Sequence, residues 1–111
     1  MIEEIVQNYL AEKLSVPVRM EEEPDLPSSY VLIEKTGSGE TDHIERATIA
    51  IQSYAGSLYE AARLNEEVKD AMNGMIELDT VSKCSLNSDY NYTDTSRKKH
   101  RYQAVYDIVH Y

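Results

Sequence analysis

The sequence predicts an α+β fold: a small mixed, mainly antiparallel sheet of about four strands with two helices packed on one face. Two segments repeat apolar residues at the spacing of a helix, and several others alternate apolar and polar residues as strands do. The chain has 111 residues, of which 41% are hydrophobic and 28% charged. It is too apolar for a disordered chain and has the length of one domain, so we expect a single domain over 1–111.

Helical periodicity appears in two segments. In the first, at about 2–14, apolar side chains recur every three or four positions and form one stripe. The second, at about 58–74, has a stronger start and end. Ser57 and Glu60 match the Ser-x-x-Glu capping box, and Gly74 falls where the helix should stop.

Strands are predicted at four places, about 30–35, 46–54, 80–92 and 98–110. The second alternates most cleanly, and the third changes facing in a way that indicates a bulge. The last is apolar on both faces, which is typical of a strand covered on both sides. Because two helices cover only one side of so small a sheet, we expect the other side to meet another subunit.

Two connections are strongly polar. Residues 21–29 hold two prolines and four acids, and we expect an extended connection there. Residues 36–45 contain no apolar residue before Ile44. They outnumber the residues of an ordinary hairpin turn, so we expect a mobile loop between the first two strands.

No pattern of catalytic or ligand-binding residues is present. His43, His100 and His110 have neither metal-ligand nor catalytic spacing, and the single Cys84 excludes a disulfide within the chain. The Gly-x-Gly sequence at 36–40 lacks the third glycine of a dinucleotide site and the lysine of a P-loop. We therefore expect no enzyme activity, no cofactor and no metal.

Net charge is −9 and is unevenly distributed. Residues 1–45 carry a balance of −8, and residues 46–111 a balance of −1. This charge argues against sequence-independent binding of nucleic acid, which needs a basic face. No apolar run is long enough to span a bilayer, and the start MIEEIV lacks the basic residues of a secretory signal, so we expect a cytoplasmic protein with no membrane partner.

One basic run, at 97–101, stands out in this acidic chain. It has two interpretations. The run either forms a solvated edge that opposes strand-to-strand aggregation, or contacts an acidic surface of another copy or of a different protein. The chain also has nine Tyr but no Phe and no Trp. Tyrosine suits surfaces that a partner buries, because it joins an apolar ring to a polar tip.

The stretch from Ser88, SDYNYTDTSRKKHRYQAVYDIVHY, resembles the C-terminal signature of small tail proteins of long-tailed bacteriophages and prophages. The resemblance is to the tail-terminator or tail-completion group, sometimes labelled minor capsid protein. Its most specific part is RYQAVYDIVHY at 101–111, preceded by YNYTD at 90–94. The rest of the chain is similar only in the order of its elements.

This resemblance implies a structural subunit that forms a ring, typically a hexamer, at the head-proximal end of the tail tube. The ring would end tube polymerisation and join the head, so its location would be the tail–head junction of the virion and, during assembly, the host cytoplasm. Implied partners are further copies of the chain, the tail-tube protein and a head-completion or connector protein, with DNA only passing through the lumen. Under this hypothesis the candidate interface residues are Arg97, Lys98, Lys99, Arg101, Tyr102 and Tyr106. The candidate residues for contact with the lumen or tube are Gly37, Gly39, Glu40, Asp42 and His43.

Several alternatives stay open. The chain would also suit another virion neck component, either a head-completion or adaptor protein or a tail-tube subunit. A host regulator or a small non-enzymatic ligand-binding α+β domain would instead be monomeric and have a concave pocket. A nucleic-acid binder on a ferredoxin-like sheet is disfavoured by the charge and by the lack of a basic-aromatic stripe in the sequence. For Tyr102 and Tyr106 the alternative is ordinary sheet core.

Overall fold

The computed structural model describes all 111 residues and confirms the α+β class, but with a five-stranded mixed sheet instead of about four strands. The spatial order of strands is β1-β2-β3-β5-β4. Strand β1 pairs with β2 in parallel, and every other pair is antiparallel. The elements are α1 (Ile2–Lys13), β1 (Val18–Arg19), β2 (Tyr30–Thr41), β3 (Ile44–Ala55), α2 (Leu58–Met72), a 3₁₀ turn (Met75–Glu77), β4 (Val81–Asn91) and β5 (His100–His110).

Both helices begin and end for local reasons. The Ser57 side chain caps α2 by accepting a hydrogen bond from the backbone N–H of Glu60 at 3.2 Å, as the capping box predicts. The helix ends before Gly74, where a close approach requires glycine. A Cβ atom at Gly74 would lie 2.7 Å from the hydroxyl of Tyr9, which donates a hydrogen bond to the Ala71 carbonyl at 2.6 Å. Neither helix is long and apolar enough to cross a membrane.

One face of the sheet carries the core. Val6 of α1 and Val68 of α2 are fully buried and belong to one apolar cluster with Ile33, Ile51 and Ile108 of the central strands. Both helices therefore lie on the same face of the sheet. Because side chains alternate along a strand, the residues between these core positions point to the opposite face, which we call the open face.

The prediction of a mobile loop at 36–45 is wrong, because these residues complete the β2–β3 hairpin. Thr41 pairs directly with Ile44, which leaves a two-residue turn. Asp42 and His43 form it with φ values of 52° and 68°, and positive φ at both positions is the requirement of a type I′ turn. The pairing register shifts between Lys35 and Gly37, so a bulge separates the apolar part of β2 from its polar end.

The last third forms the second hairpin. Strand β4 is an edge strand whose register with β5 shifts twice, which confirms the predicted irregularity. Strand β5 lies between β3 and β4. The turn between β4 and β5 is held by Asp94, whose carboxylate accepts hydrogen bonds from the backbone N–H groups of Ser96 and Arg97 at 3.1 and 3.2 Å. Lys98 has a φ of 55° in this turn.

The acidic connection, residues 21–29, crosses one end of the open face. Its Leu26 packs on a small buried cluster formed by Tyr30, Leu32 and Tyr54. The rest of the open face carries no second layer of secondary structure. This arrangement leaves most of the open face to solvent.

Candidate interaction surface

The basic run folds onto the acidic connection of the same chain. Lys99 Nζ lies 2.9 Å from Glu22 Oε1, and Arg97 Nη2 lies 3.3 Å from Glu22 Oε2. The hydroxyl of Tyr30 donates a third hydrogen bond to Glu22 Oε1 at 2.8 Å. One carboxylate thus joins the connection, strand β2 and the β4–β5 turn.

These donors stabilise the charged form of Glu22. The hydrogen bond from Lys99, followed by that from Tyr30, lowers the pKa of Glu22 from 4.5 to about 2. The same contact with Glu22 raises the pKa of Lys99. Burial, followed by the hydrogen bond to Glu22, raises the pKa of Tyr30.

An aromatic stack lies beside this ion pair. The rings of Tyr30 and Tyr54 are 4.6 Å apart and nearly parallel, at 11°. Lys99 Nζ lies 5.9 and 5.8 Å from their centroids, within cation–π distance. The guanidinium of Arg101 lies 4.4 Å from the ring centroid of Tyr92 and donates to the hydroxyl of Tyr54 at 2.8 Å.

A chain of hydrogen bonds continues across the open face. The hydroxyl of Tyr54 donates to Gln52 Oε1 at 3.3 Å, and Gln52 Nε2 donates to Gln103 Oε1 at 2.9 Å. Gln103 Nε2 then donates to the hydroxyl of Tyr90. This polar row joins β3, β5 and β4. It was missed from sequence because only the strand register brings these side chains together.

The interface candidates have different surroundings. Tyr106 is 3% exposed and belongs to the core of the single chain, where burial raises its pKa to about 12. For Tyr106 the structure therefore supports the alternative of ordinary sheet core. Tyr102 is half-buried on the helix side of β5, opposite Ser53. Lys98 is exposed and forms no ion pair within the chain.

The candidates for lumen or tube contact lie at the other end of the molecule, in the polar end of the β2–β3 hairpin. Gly37 is half-buried, and the other four are exposed: Gly39, Glu40, Asp42 and His43. The structure does not bring these residues near the basic run, since β3 begins at the hairpin turn and reaches Tyr54 only at its far end.

Two clefts mark the open face. The first, of about 620 Å³, lies between the acidic connection and the start of β5, and its wall combines charged side chains such as Glu22 and Lys99 with apolar ones such as Pro24 and Leu26. The second, of about 450 Å³, lies at the opposite end and includes Arg46 and Lys83. This cationic pair was also missed from sequence, because its members belong to different strands and neither lies in a basic run.

No protein-family model matches the chain, and no curated protein matches it. A functional interpretation therefore depends on the surface itself and on the C-terminal resemblance.

Proposed function

We propose that this chain is a structural protein of the bacteriophage tail that forms a ring on the head-proximal end of the tail tube. There it ends tube polymerisation and provides the surface that joins the head. The main support for the proposal is the motif RYQAVYDIVHY, which resembles the tail-terminator signature, together with its position in the sheet. It occupies β5, a central strand with one side in the core and the other on the open face.

The chemistry of the open face supports a protein partner. Val105 and Val109 of β5 are only half-buried there, without a covering layer from the same chain. Tyr90, Tyr92 and Arg101 lie near its basic end, and aromatic residues and arginine are enriched at protein interfaces. A neighbouring subunit would complete the burial of this side of β5.

Charge supports a ring around DNA. A subunit of net charge −9 repels phosphate, so a lumen lined by such subunits would let DNA pass without binding it. A cyclic ring of more than two copies also needs two different patches that meet head to tail. The acidic connection and the cationic cleft are two such patches on one chain.

The non-virion alternatives fit the surface less well. A ligand-binding domain requires a concave, mostly apolar pocket that encloses its ligand, whereas the 620 Å³ cleft is open to solvent and is lined by charged side chains, among them Glu22, Glu23 and Lys99, as well as by apolar ones. For the nucleic-acid alternative, the structure does gather tyrosines and basic residues on one face, contrary to the expectation from sequence. However, Tyr30 and Tyr54 stack on each other and are buried, and Lys99 is paired with Glu22, so the rings are not free to stack on bases.

Molar mass by light scattering over a concentration series in low salt separates a ring-forming protein from a tail-tube subunit and from a ligand-binding domain. A terminator ring predicts a closed assembly that stops growing, at about 76 kDa for six copies of the 12.7 kDa chain. A tail-tube subunit would instead grow into long polymers, which negative-stain microscopy would show. A mass of 12.7 kDa at every concentration would favour the ligand-binding domain.

A further inference from the structure

The basic run is largely neutralised within its own chain. Glu22 accepts hydrogen bonds from both Lys99 and Arg97. The Arg101 guanidinium donates a hydrogen bond to the Tyr54 hydroxyl and lies over the Tyr92 ring. A neighbour that bound this run would first have to displace Glu22. Apart from Lys98, which is exposed and unpaired, the cations available to a neighbouring copy lie elsewhere on the open face.

Arg46 and Lys83 are such cations. In the strand register both are paired with Val109 of β5, one from β3 and one from β4. Because adjacent strands are about 4.8 Å apart, their Cα atoms lie about 10 Å from each other on the same face. Neither side chain has an acidic partner, and Arg46 donates only to the Thr41 hydroxyl at 3.4 Å.

The walls of this Arg46–Lys83 cleft admit a polypeptide segment. Small residues, among them Gly39, Thr48 and Ser85, line its 450 Å³ and allow close approach of a backbone. Its one carboxylate, Asp107, accepts hydrogen bonds from the Thr48 hydroxyl at 3.1 Å and from Asn87 Nδ2 at 2.9 Å. Two cations and one held carboxylate leave the cleft positive, so its ligand should be acidic.

The acidic connection offers a matching segment at the opposite end of the same face. Glu21 and Asp25 are exposed and form no ion pair, whereas Glu22 and Glu23 are paired within the chain. The prolines of the segment restrict its conformation, which reduces the entropy lost on binding. Arg46 and Tyr54 are eight residues apart on β3, so cleft and connection are separated by about 26 Å.

We propose that the Arg46–Lys83 cleft binds the acidic connection of a second copy of this chain through Glu21 and Asp25. The two patches differ and lie at opposite ends of one face, so copies offset along that face can each bind one neighbour with the cleft and another with the connection. Such a heterologous contact closes into a ring when the rotation between copies permits. A reciprocal face-to-face pair would instead stop at a dimer of about 25 kDa, which would overturn the ring contact. The inference rests on the proposed function and names the subunit interface that the ring would use.

Charge reversal tests this contact. One variant carries Arg46→Glu and Lys83→Glu, and a second carries Glu21→Lys and Asp25→Lys. Each alone should raise the concentration needed for assembly by at least about tenfold, because like charges then face each other. An equimolar mixture should assemble again, since every cleft then finds a connection of opposite charge. Circular dichroism checks that both variants fold.

Two matched substitutions sharpen the result. Lys98→Glu changes an exposed, unpaired cation beside the acidic connection; it removes no charge from the Arg46–Lys83 cleft, so assembly should not weaken. Asp107→Asn removes the one negative charge from the cleft, so the cleft should bind an acidic segment more tightly and assembly should strengthen. The amide oxygen still accepts the hydrogen bond from Thr48, which preserves the local structure.

The outcomes that overturn the inference are distinct from those that overturn the function. If the charge-reversed variants assemble like the wild type, or if only Lys98→Glu disrupts assembly, the named contact is wrong although a ring exists. A wild-type chain that stays at 12.7 kDa also overturns docking between free copies. If the cleft variant assembles normally but no longer caps tail tubes, its ligand is the tube protein and not a second copy.

Discussion

Replacing Glu22 by Gln should loosen the acidic connection from the sheet. The substitution preserves side-chain size but removes the charge that Lys99 and Arg97 contact at 2.9 and 3.3 Å. It also weakens the hydrogen bond from the Tyr30 hydroxyl. The connection would then be held mainly by Leu26 on its small apolar cluster.

The expected loss of stability follows from the pKa of Glu22. Lowering that pKa from 4.5 to about 2 corresponds to an upper limit of about 3 kcal/mol. The Glu22 and Lys99 side chains are 34% and 37% exposed, so solvent screening reduces the loss to about 1 kcal/mol at pH 7. For a domain of this length, that loss lowers the melting temperature by about 4 °C.

The pH dependence provides a second signature. Because folding lowers the pKa of Glu22, its contribution is complete above pH 4.5 and is lost as the pH falls towards 2. The difference in stability between wild type and Glu22→Gln should therefore be constant at neutral pH and disappear between pH 4.5 and pH 2. Urea denaturation at a series of pH values measures it.

Glu23→Gln is the matched control. Glu23 pairs with Arg19 at 2.7 Å, but both side chains are nearly half exposed, at 48% and 44%. We expect this control to lose only about 0.3 kcal/mol. Equal effects of the two substitutions, or a difference that persists at pH 2, would refute the central role of Glu22.

Three further predictions concern single residues. Gly74→Ala should lower stability by about 1 kcal/mol in thermal melts, because the new Cβ would lie 2.7 Å from the Tyr9 hydroxyl and displace it. Gly39→Ala should leave stability unchanged, because no atom lies within 4 Å of the new Cβ. His43→Gly should raise stability by about 0.5 kcal/mol, since φ at this position is 68°; an unchanged melting temperature would argue against strain in the turn. Burial raises the pKa of the Cys84 thiol from 9.0 to about 11, so iodoacetamide at pH 8 should alkylate it about a hundredfold more slowly than in the urea-unfolded chain, and equal rates would contradict this.

Local patterns were sufficient to predict the helices. The stripe of α1 repeats through Ile2, Val6 and Leu10, all buried, and the capping box at Ser57 forms a real hydrogen bond. Such features depend on residues within one or two turns of helix, so they can be recognised without knowledge of the tertiary structure. The alternation of β3 was visible for the same reason.

Strands that depend on distant partners were not predictable. Strand β1 has only two residues, and it exists because Val18 and Arg19 pair with β2 across an irregular connection. The polar end of β2 shows no alternation because solvent reaches both of its faces, so nothing in 36–41 distinguishes a strand from a loop. The turn that closes this hairpin, Asp42–His43, adopts positive φ at both residues although it lacks the glycine typical of such turns, so the sequence did not indicate a hairpin.

The candidate surface was predicted only in part. The basic run at 97–101 was recognised from the sequence, but its acidic partner Glu22 is 77 residues from Lys99. The pair of Arg46 and Lys83 likewise results from strand register, because both face Val109. Charge counts along the chain indicate that opposite patches exist, and only the fold determines which charges remain free for a partner.

The central claim is tested most directly at the end of a tail tube. Under the proposed function, the tail-tube protein encoded in the same genome would be polymerised with and without the wild-type chain, and tube lengths and ends imaged by negative-stain microscopy. We predict shorter tubes with a ring of added density at one end, and a smaller effect of the Arg46→Glu, Lys83→Glu variant. Tubes of unchanged length whose two ends carry no added density would contradict the proposal.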